Sequence, residues 1–263
     1  LNRLEKQTRL AIPAHPSFVK KGYLVEDMKY LSNYKLMEVL NGFRISCAHW
    51  DMALSNGHLV YLIGNDDSHD VTDITDVATR FTMINAPENE SEQLLQALEK
   101  GSAVGVDFPV KRDETLEQKI NRLKKNLPHI TQVELKGDTL FVAASKTFSK
   151  IKFIGQEGKV LNSQKNKKSA FYIIQPEDNY VRTELAFKDG TTLYLNPITR
   201  HENATVEKQR LDHINWLKDV LLPEGNNCYV YLTNSWVAQV LLAYLGDIDR
   251  SKKFDIRVHI KFD

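Results

Sequence analysis

Three strand-length apolar runs near the start of the chain each end in a polar, turn-forming cluster, and this order restricts the fold more than any bulk property. Residues 9–14 (RLAIPA) lead into His15-Pro16, residues 35–40 (KLMEVL) into Asn41-Gly42, and residues 59–63 (LVYLI) into Gly64-Asn65. Helix-like stretches lie between them at 24–31 and 49–55, the second followed by Gly57 as a C-terminal stop. Residues 81–85 (FTMIN) read as a fourth strand and 103–108 as a last one. Residues 91–100 form an amphipathic pattern with Leu94, Leu95 and Leu98 on one face and Gly101 as cap. Strand and helix in regular succession predict an α/β fold of parallel βα units.

The texture changes near residue 115. A charged helical linker at 117–126 precedes short β-rich runs at 131–135, 140–144, 150–154, 170–174, 180–187 and 192–195. Turn signals separate them, including Lys136-Gly137-Asp138 and the Asp189-Gly190 hairpin signal. This spacing predicts a small antiparallel β-sandwich. Beyond it, residues 206–222 and 236–245 read as helices and residues 226–232 and 255–262 as strands, with no chemical motif. The expected organisation is therefore a βα region over 1–112, a β-sandwich domain over 113–201 and a mixed α/β tail over 202–263.

Bulk properties exclude several function classes. With 263 residues, 42% hydrophobic and 26% charged, the chain has the composition of a globular protein of one or two domains. A net charge of +1 gives no footprint of a nucleic-acid partner. Two cysteines, Cys47 and Cys228, exclude a disulfide framework and a cysteine-rich zinc site. No apolar run is long enough to span a bilayer. Asn89 and Asn203 open Asn-x-Ser/Thr matches that we take as chance. The compartment is left open, with a lean toward the cytoplasm.

The chemistry concentrates at the predicted strand ends. The first run delivers His15, the second Glu38 with Asn41, and the third Asp67 and His69. In parallel βα architectures the loops after the strands collect catalytic groups. Asp67 and His69 are two residues apart, so in an extended segment both side chains point the same way. A carboxylate and an imidazole from one strand end, joined by a histidine from another, make a divalent-metal half-site. The competing interpretation is structural: a His-Pro turn and a capped Asp-x-His turn. Ser68, His69 and Asp70 are sequence neighbours and do not form a catalytic relay.

Four segments taken in order, IPAHP (12–16), MEVLNG (37–42), WDMALSNG (50–57) and IGNDDSHD (63–70), resemble the second half of the polymerase and histidinol phosphatase (PHP) family. Residues 84–106 resemble that family's closing strand, helix and strand. The subtype that looks nearest is the CehA/McbA-like group with its appended β-domain, which Tyr180-Val181-Arg182 and residues 195–198 (LNPI) resemble. The resemblance spans residues 8–200. It implies the C-terminal half of a distorted β/α barrel over 1–112, followed by the appended β-domain. It implies a metal-dependent phosphoesterase using manganese, iron or zinc on a phosphorylated small molecule or nucleotide. Matched to the motifs, His15, Asp67 and His69 would be metal ligands, and Glu38 would orient a ligand imidazole, with Asn41 beside it. Trp50 and Asp51 match a helix packed under the site, with Asp51 a helix-terminal dipole partner. His49 and His58 would be surface or packing residues.

The family's first half, with its His-x-His pair, has no counterpart before His15. We therefore expect either a fragment of a longer enzyme or a remnant completed by a complementary N-terminal segment. Two rivals remain: a degenerate, non-catalytic barrel whose β-domain binds a partner or glycan, and an amidohydrolase-type barrel. The second is disfavoured by the lack of a candidate bridging lysine.

Overall fold

The fold is described from a computed structural model, which describes residues 9–18, 22–29, 31 and 34–199, together with the backbone of 229–232 and 257–260. The expected helices at 206–222 and 236–245 lie outside these residues.

The first core gathers around β1 (Leu36–Asn41), whose six residues are all buried. It pairs in parallel with β3 (Tyr61–Asn65) and antiparallel with the two-residue β2 (Arg44–Ile45). Helix α1 (Cys47–Ser55) and a 3-10 turn (Val25–Lys29) cover one side, with Met28, Trp50, Leu54 and Leu62 in the core. Trp50 is fully buried, and its indole N–H donates to Val60 O at 2.8 Å. Residues 9–14, expected as a strand, run without ladder pairing; a single backbone bond ties Pro13 O to Glu38 N. Pro13 and Pro16 interrupt the donor sequence a strand needs.

The other strands form a seven-stranded sheet, β4 (Arg80–Ile84), β5 (Ala103–Asp107), β10 (Thr192–Thr199), β9 (Tyr180–Ala186), β7 (Thr139–Ile154) and β6 (Ile130–Lys136), with β8 (Val160–Ile173) also on β7. All its pairings are antiparallel. Among the described residues of 1–112, the expected parallel pairing therefore holds for β1 and β3 alone. Helix α2 (Ser91–Glu99) joins β4 to β5, which pair antiparallel, and its end is turned by Gly101 at φ 70.

Side chains carry the sheet from β3 to β4 and curl it into a half barrel. The Thr82 hydroxyl accepts from Gly64 N and donates to Gly64 O, both at 2.8 Å. Asn196 Oδ1 accepts from Leu62 N at 2.8 Å while its Nδ2 donates to Gly101 O and Ala103 O. The bulge at Asn196-Pro197, between the Leu195 and Ile198 pairings, frees that amide to turn toward β3.

Within the larger sheet, β7 carries an irregularity between Ala143 and Phe148 and folds its two ends over each other. Tyr172, paired with Leu140 near one end, stacks at 5.6 Å on Phe153 near the other. One sheet folded on itself thus encloses the second core; two separate facing sheets, as a sandwich needs, are not seen among the described residues. Helix α3 (Leu116–Asn126), opened by a Thr115–Gln118 capping box, packs Leu123 on this core. Sheet pairing crosses the 112/113 division: β5 pairs with β10, and Tyr180 and Tyr194 lie in the first core. In the tail, Tyr229–Leu232 and Arg257–Ile260 pair in parallel.

Candidate functional site

The C-terminal ends of β1 and β3 bring a polar cluster together around Glu38. Glu38 and Asn41 are three positions apart, so in a regular strand they would face opposite ways. The register shifts between Glu38 and Leu40, where β1 spends one extra residue against β3. Both side chains then reach the same side, and Asn41 Nδ2 donates to Glu38 Oε1 at 3.2 Å.

Glu38 is 1% exposed. Its Oε2 accepts from His15 N at 2.5 Å and lies 2.7 Å from His15 Nδ1; Oε1 also accepts from Asn65 Nδ2. Every partner is a donor, which suits a carboxylate acting as acceptor only. Asn41 Nδ2 also approaches His15 Nδ1 at 3.0 Å. That nitrogen cannot both donate to Glu38 and accept from Asn41. Asn41 Oδ1 is committed to Phe43 N at 3.0 Å, which sets the amide orientation. The shorter contact to a carboxylate takes the Nδ1 proton. The imidazole is then held as the Nδ1–H tautomer, with the Nε2 lone pair turned outward.

Nε2 lies 3.9 Å from Asp67 Oδ2. A tetrahedral ion at about 2.1 Å from each would hold such a nitrogen and oxygen roughly 3.4 Å apart. The pair fits a divalent cation with closure of about half an ångström. Both residues adopt left-handed backbone, His15 at φ 50 and Asp67 at φ 52, a conformation that costs energy for non-glycine residues and clusters at functional sites. Asp67 N donates to Asn65 Oδ1 at 2.9 Å, which supports the turn.

The left-handed Asp67 also undoes the period-two argument that placed His69 beside it. The segment is not extended, and His69 is an exposed residue whose ring lies 6.1 Å from that of Phe43. Its backbone N donates to Asp76 Oδ2 at 2.5 Å. The structure thus brings together His15, Glu38, Asn41 and Asp67 and leaves His69 apart. Among the described residues no three His, Cys, Asp or Glu side chains gather as a metal-binding group.

Asn65 and Arg80 join the site without having been singled out in the sequence. Arg80 pairs with Asp107 at 3.2 Å and donates to Asn41 O. A polar residue at a strand end was the signal for Asn65; nothing local marks Arg80. The β1–β2 turn presses on the β3–β4 loop, so that a Cβ at Gly42 would sit 1.9 Å from Asp66 O. Beside His69, a shallow cleft of about 420 Å³ is lined by Gly42, Phe43, Asp73, Thr75 and Asp76.

Asp51, matched to the family's helix under the site, does not sit at that helix's end. Helix α1 begins at Cys47, so Asp51 lies in its second turn rather than at its end. There it pairs with Arg182, at 2.6 Å to Nε and 2.8 Å to Nη2. His49 is buried, with Nε2 2.9 Å from Tyr23 O.

No protein-family model matches the chain, and no curated protein matches it. Among solved structures it is similar to a two-domain protein containing a predicted PHP-like metal-dependent phosphoesterase from Bacteroides vulgatus. The identity is 14% and the TM-score 0.34, over 74% of this chain and 64% of that one. The chain spans less than two thirds of that protein's length. No helix of the described residues is long and apolar enough to cross a membrane.

Proposed function

We propose that the chain contributes a metal-binding half-site to the hydrolysis of phosphate esters, in the manner of the PHP family that its strand-end motifs resemble. The observation that carries this is the His15 imidazole, locked by buried Glu38 through Nδ1 with Nε2 facing Asp67 Oδ2 at 3.9 Å. Carboxylate, imidazole and ligand in line is how proteins orient a metal-bound histidine. His15 Nε2 and the Asp67 carboxylate would hold the cation, with His69 reaching it after a shift of the loop. Mixed nitrogen and oxygen donors suit manganese, iron or zinc. Such an ion lowers the pKa of bound water and neutralises phosphoryl oxygens.

The residues of the chain then have separate tasks. Glu38 fixes the imidazole tautomer, and Asn41 and Asn65 hold Glu38 in place. Arg80 is committed to Asp107 and the β1 end. Arg44 is exposed, stands opposite Asn41 in the β1–β2 ladder, and has no ion pair among the described residues. We assign it the task of meeting a phosphoryl oxygen at the rim. The substrate is a phosphorylated small molecule or nucleotide, and a complementary segment supplies the remaining ligands.

One observation favours the non-catalytic alternative. The described residues hold two aligned donors rather than three. Calorimetric titration with manganese and zinc, beside hydrolysis of p-nitrophenyl phosphate, separates the two. We expect binding that is lost in His15→Ala and Asp67→Ala and weakened about 10- to 100-fold in Glu38→Gln. Arg44→Ala should raise KM and leave metal binding unchanged. Metal binding without turnover supports the degenerate module; no binding in the wild type rejects the half-site.

A further inference from the structure

Residues 66–79, between β3 and β4, have no regular secondary structure, yet hydrogen bonds tie them at several points. The Asp66 carboxylate accepts from the backbone N–H of Ala78, Thr79 and Arg80 at 2.5–2.7 Å and closes the loop at its base. Asp76 Oδ2 accepts from His69 N and Asp70 N at 2.5 and 2.6 Å, and so holds the segment bearing His69. Both ties are internal to the loop and its exit. At its ends the loop is fixed by Phe108 N, which donates to Thr79 O at 2.7 Å, and by the packing of Asp66 O on Gly42; neither these nor the internal ties decide where its middle lies.

That is decided by Lys119, in the second turn of α3 and 1% exposed. An ammonium has three N–H donors. Here all three are used on the loop: Ile74 O at 2.7 Å, Val77 O at 2.6 Å and Thr79 Oγ1 at 3.1 Å. Ile74 and Val77 flank Asp76, so the grip reaches His69 and Asp70 through the Asp76 carboxylate. Among the described residues no other side chain outside the loop hydrogen-bonds residues 70–77. A helix face turned to a core ordinarily carries apolar groups, and burial lowers the Lys119 pKa from the usual lysine value. A charged group kept there against that cost has a task that leucine or methionine could not perform. The helix is itself anchored. Arg122, one turn on, pairs with Glu114 at 2.7 Å and lies 3.7 Å over the Phe108 ring.

We propose that Lys119 is a positioning residue, which docks the 66–79 loop on α3 and thereby sets where Asp67 and His69 stand relative to His15. The consequence for metal binding rests on the half-site proposed above; the docking does not.

The test is Lys119→Met, which keeps the chain length and removes the donors, read by amide hydrogen exchange and by manganese titration. Leu123→Ala, which trims core packing on the same helix without touching the loop, is the control. Thr79→Val, which removes one acceptor of Lys119 along with the hydroxyl's own bond to Thr75 O, covers the case in which Lys119→Met fails to fold. We expect exchange over residues 68–78 to rise roughly tenfold or more in Lys119→Met, as befits lost hydrogen bonds to a charged group. A smaller rise is expected in Thr79→Val, and none specific to the loop in Leu123→Ala. Manganese affinity should fall with loop protection. Loop exchange equal to wild type in both loop variants, or no greater than in Leu123→Ala, overturns the docking role. Loop exchange that rises while the wild type binds no manganese upholds the docking role and rejects the half-site instead.

Discussion

Replacing Asp51 by alanine strips the counter-charge from a guanidinium that has almost no access to water. Arg182 is 3% exposed and Asp51 5%. The two form a bidentate pair at 2.6 and 2.8 Å, and the Tyr180 hydroxyl donates to Asp51 Oδ1 at 2.9 Å. Burial alone would lower the pKa of Arg182; the hydrogen bonds of Asp51, together with neighbouring negative charge that includes Asp51 and Glu184, more than offset this, so it stands raised. Removing one partner of a buried pair typically costs about 3–5 kcal/mol. Arg182 keeps Glu184 at 2.6 Å and the Trp50 ring at 5.1 Å, and Tyr180 keeps Gly155 O. These place Asp51→Ala at the lower end, about 3 kcal/mol, or about 6–12 °C in Tm for a chain of this size. Arg182→Met should cost a similar amount, and Asp51→Leu with Arg182→Met should recover most of it, since a packed apolar pair can replace a buried ion pair. Urea titrations followed by circular dichroism across the cycle measure this. A loss below about 1 kcal/mol for Asp51→Ala, or single effects that simply add, would refute the argument. The same cycle tests whether α1 and β9 unfold as one unit, because this pair joins residues 131 positions apart.

Two other titratable groups give separate predictions. The Arg122 hydrogen bonds hold Glu114 down to about 2, below its ordinary value of 4.5. A depressed folded-state pKa contributes stability above the unfolded value and loses it as pH falls through the folded one. Glu114→Gln should therefore cost about 2 kcal/mol near neutrality, and the gap to wild type should close between pH 4.5 and 2; a gap equal at pH 3 and pH 7 by urea midpoint contradicts the pairing. Burial pushes the Cys47 thiol up to about 12, so roughly one thiol in ten thousand is ionised at pH 8. Iodoacetamide at pH 8 should leave Cys47 unmodified in the folded protein and label it readily in urea, by peptide mapping; rapid labelling of the native chain would show the thiol is not shielded.

Local rules in the sequence determined the elements that depend on neighbours within a turn or two. The apolar run and Asn-Gly turn at 36–42, the amphipathic pattern with Gly101 after it, and the charged helical stretch at 117–126 all mark real elements. Strand-end placement likewise singled out His15, Glu38, Asn41, Asp67 and His69 before any contact was known, and the first four stand together. The sense and partners of the strands were not legible, because β5 finds β10 some ninety residues later and only the assembled sheet decides which edge is free. The direction of His69 was not legible for a purely backbone reason: one left-handed residue at Asp67 cancels the alternation on which the reasoning stood. Lys119 and Arg182 show the deeper limit. A charge in such a pattern reads as solvated, and only packing reveals the carbonyls or carboxylates, from segments far away in sequence, that offset its burial. The sequence thus determined which groups are available at the strand ends, and tertiary structure decided which of them meet, because pairing and desolvation are properties of distant segments brought together.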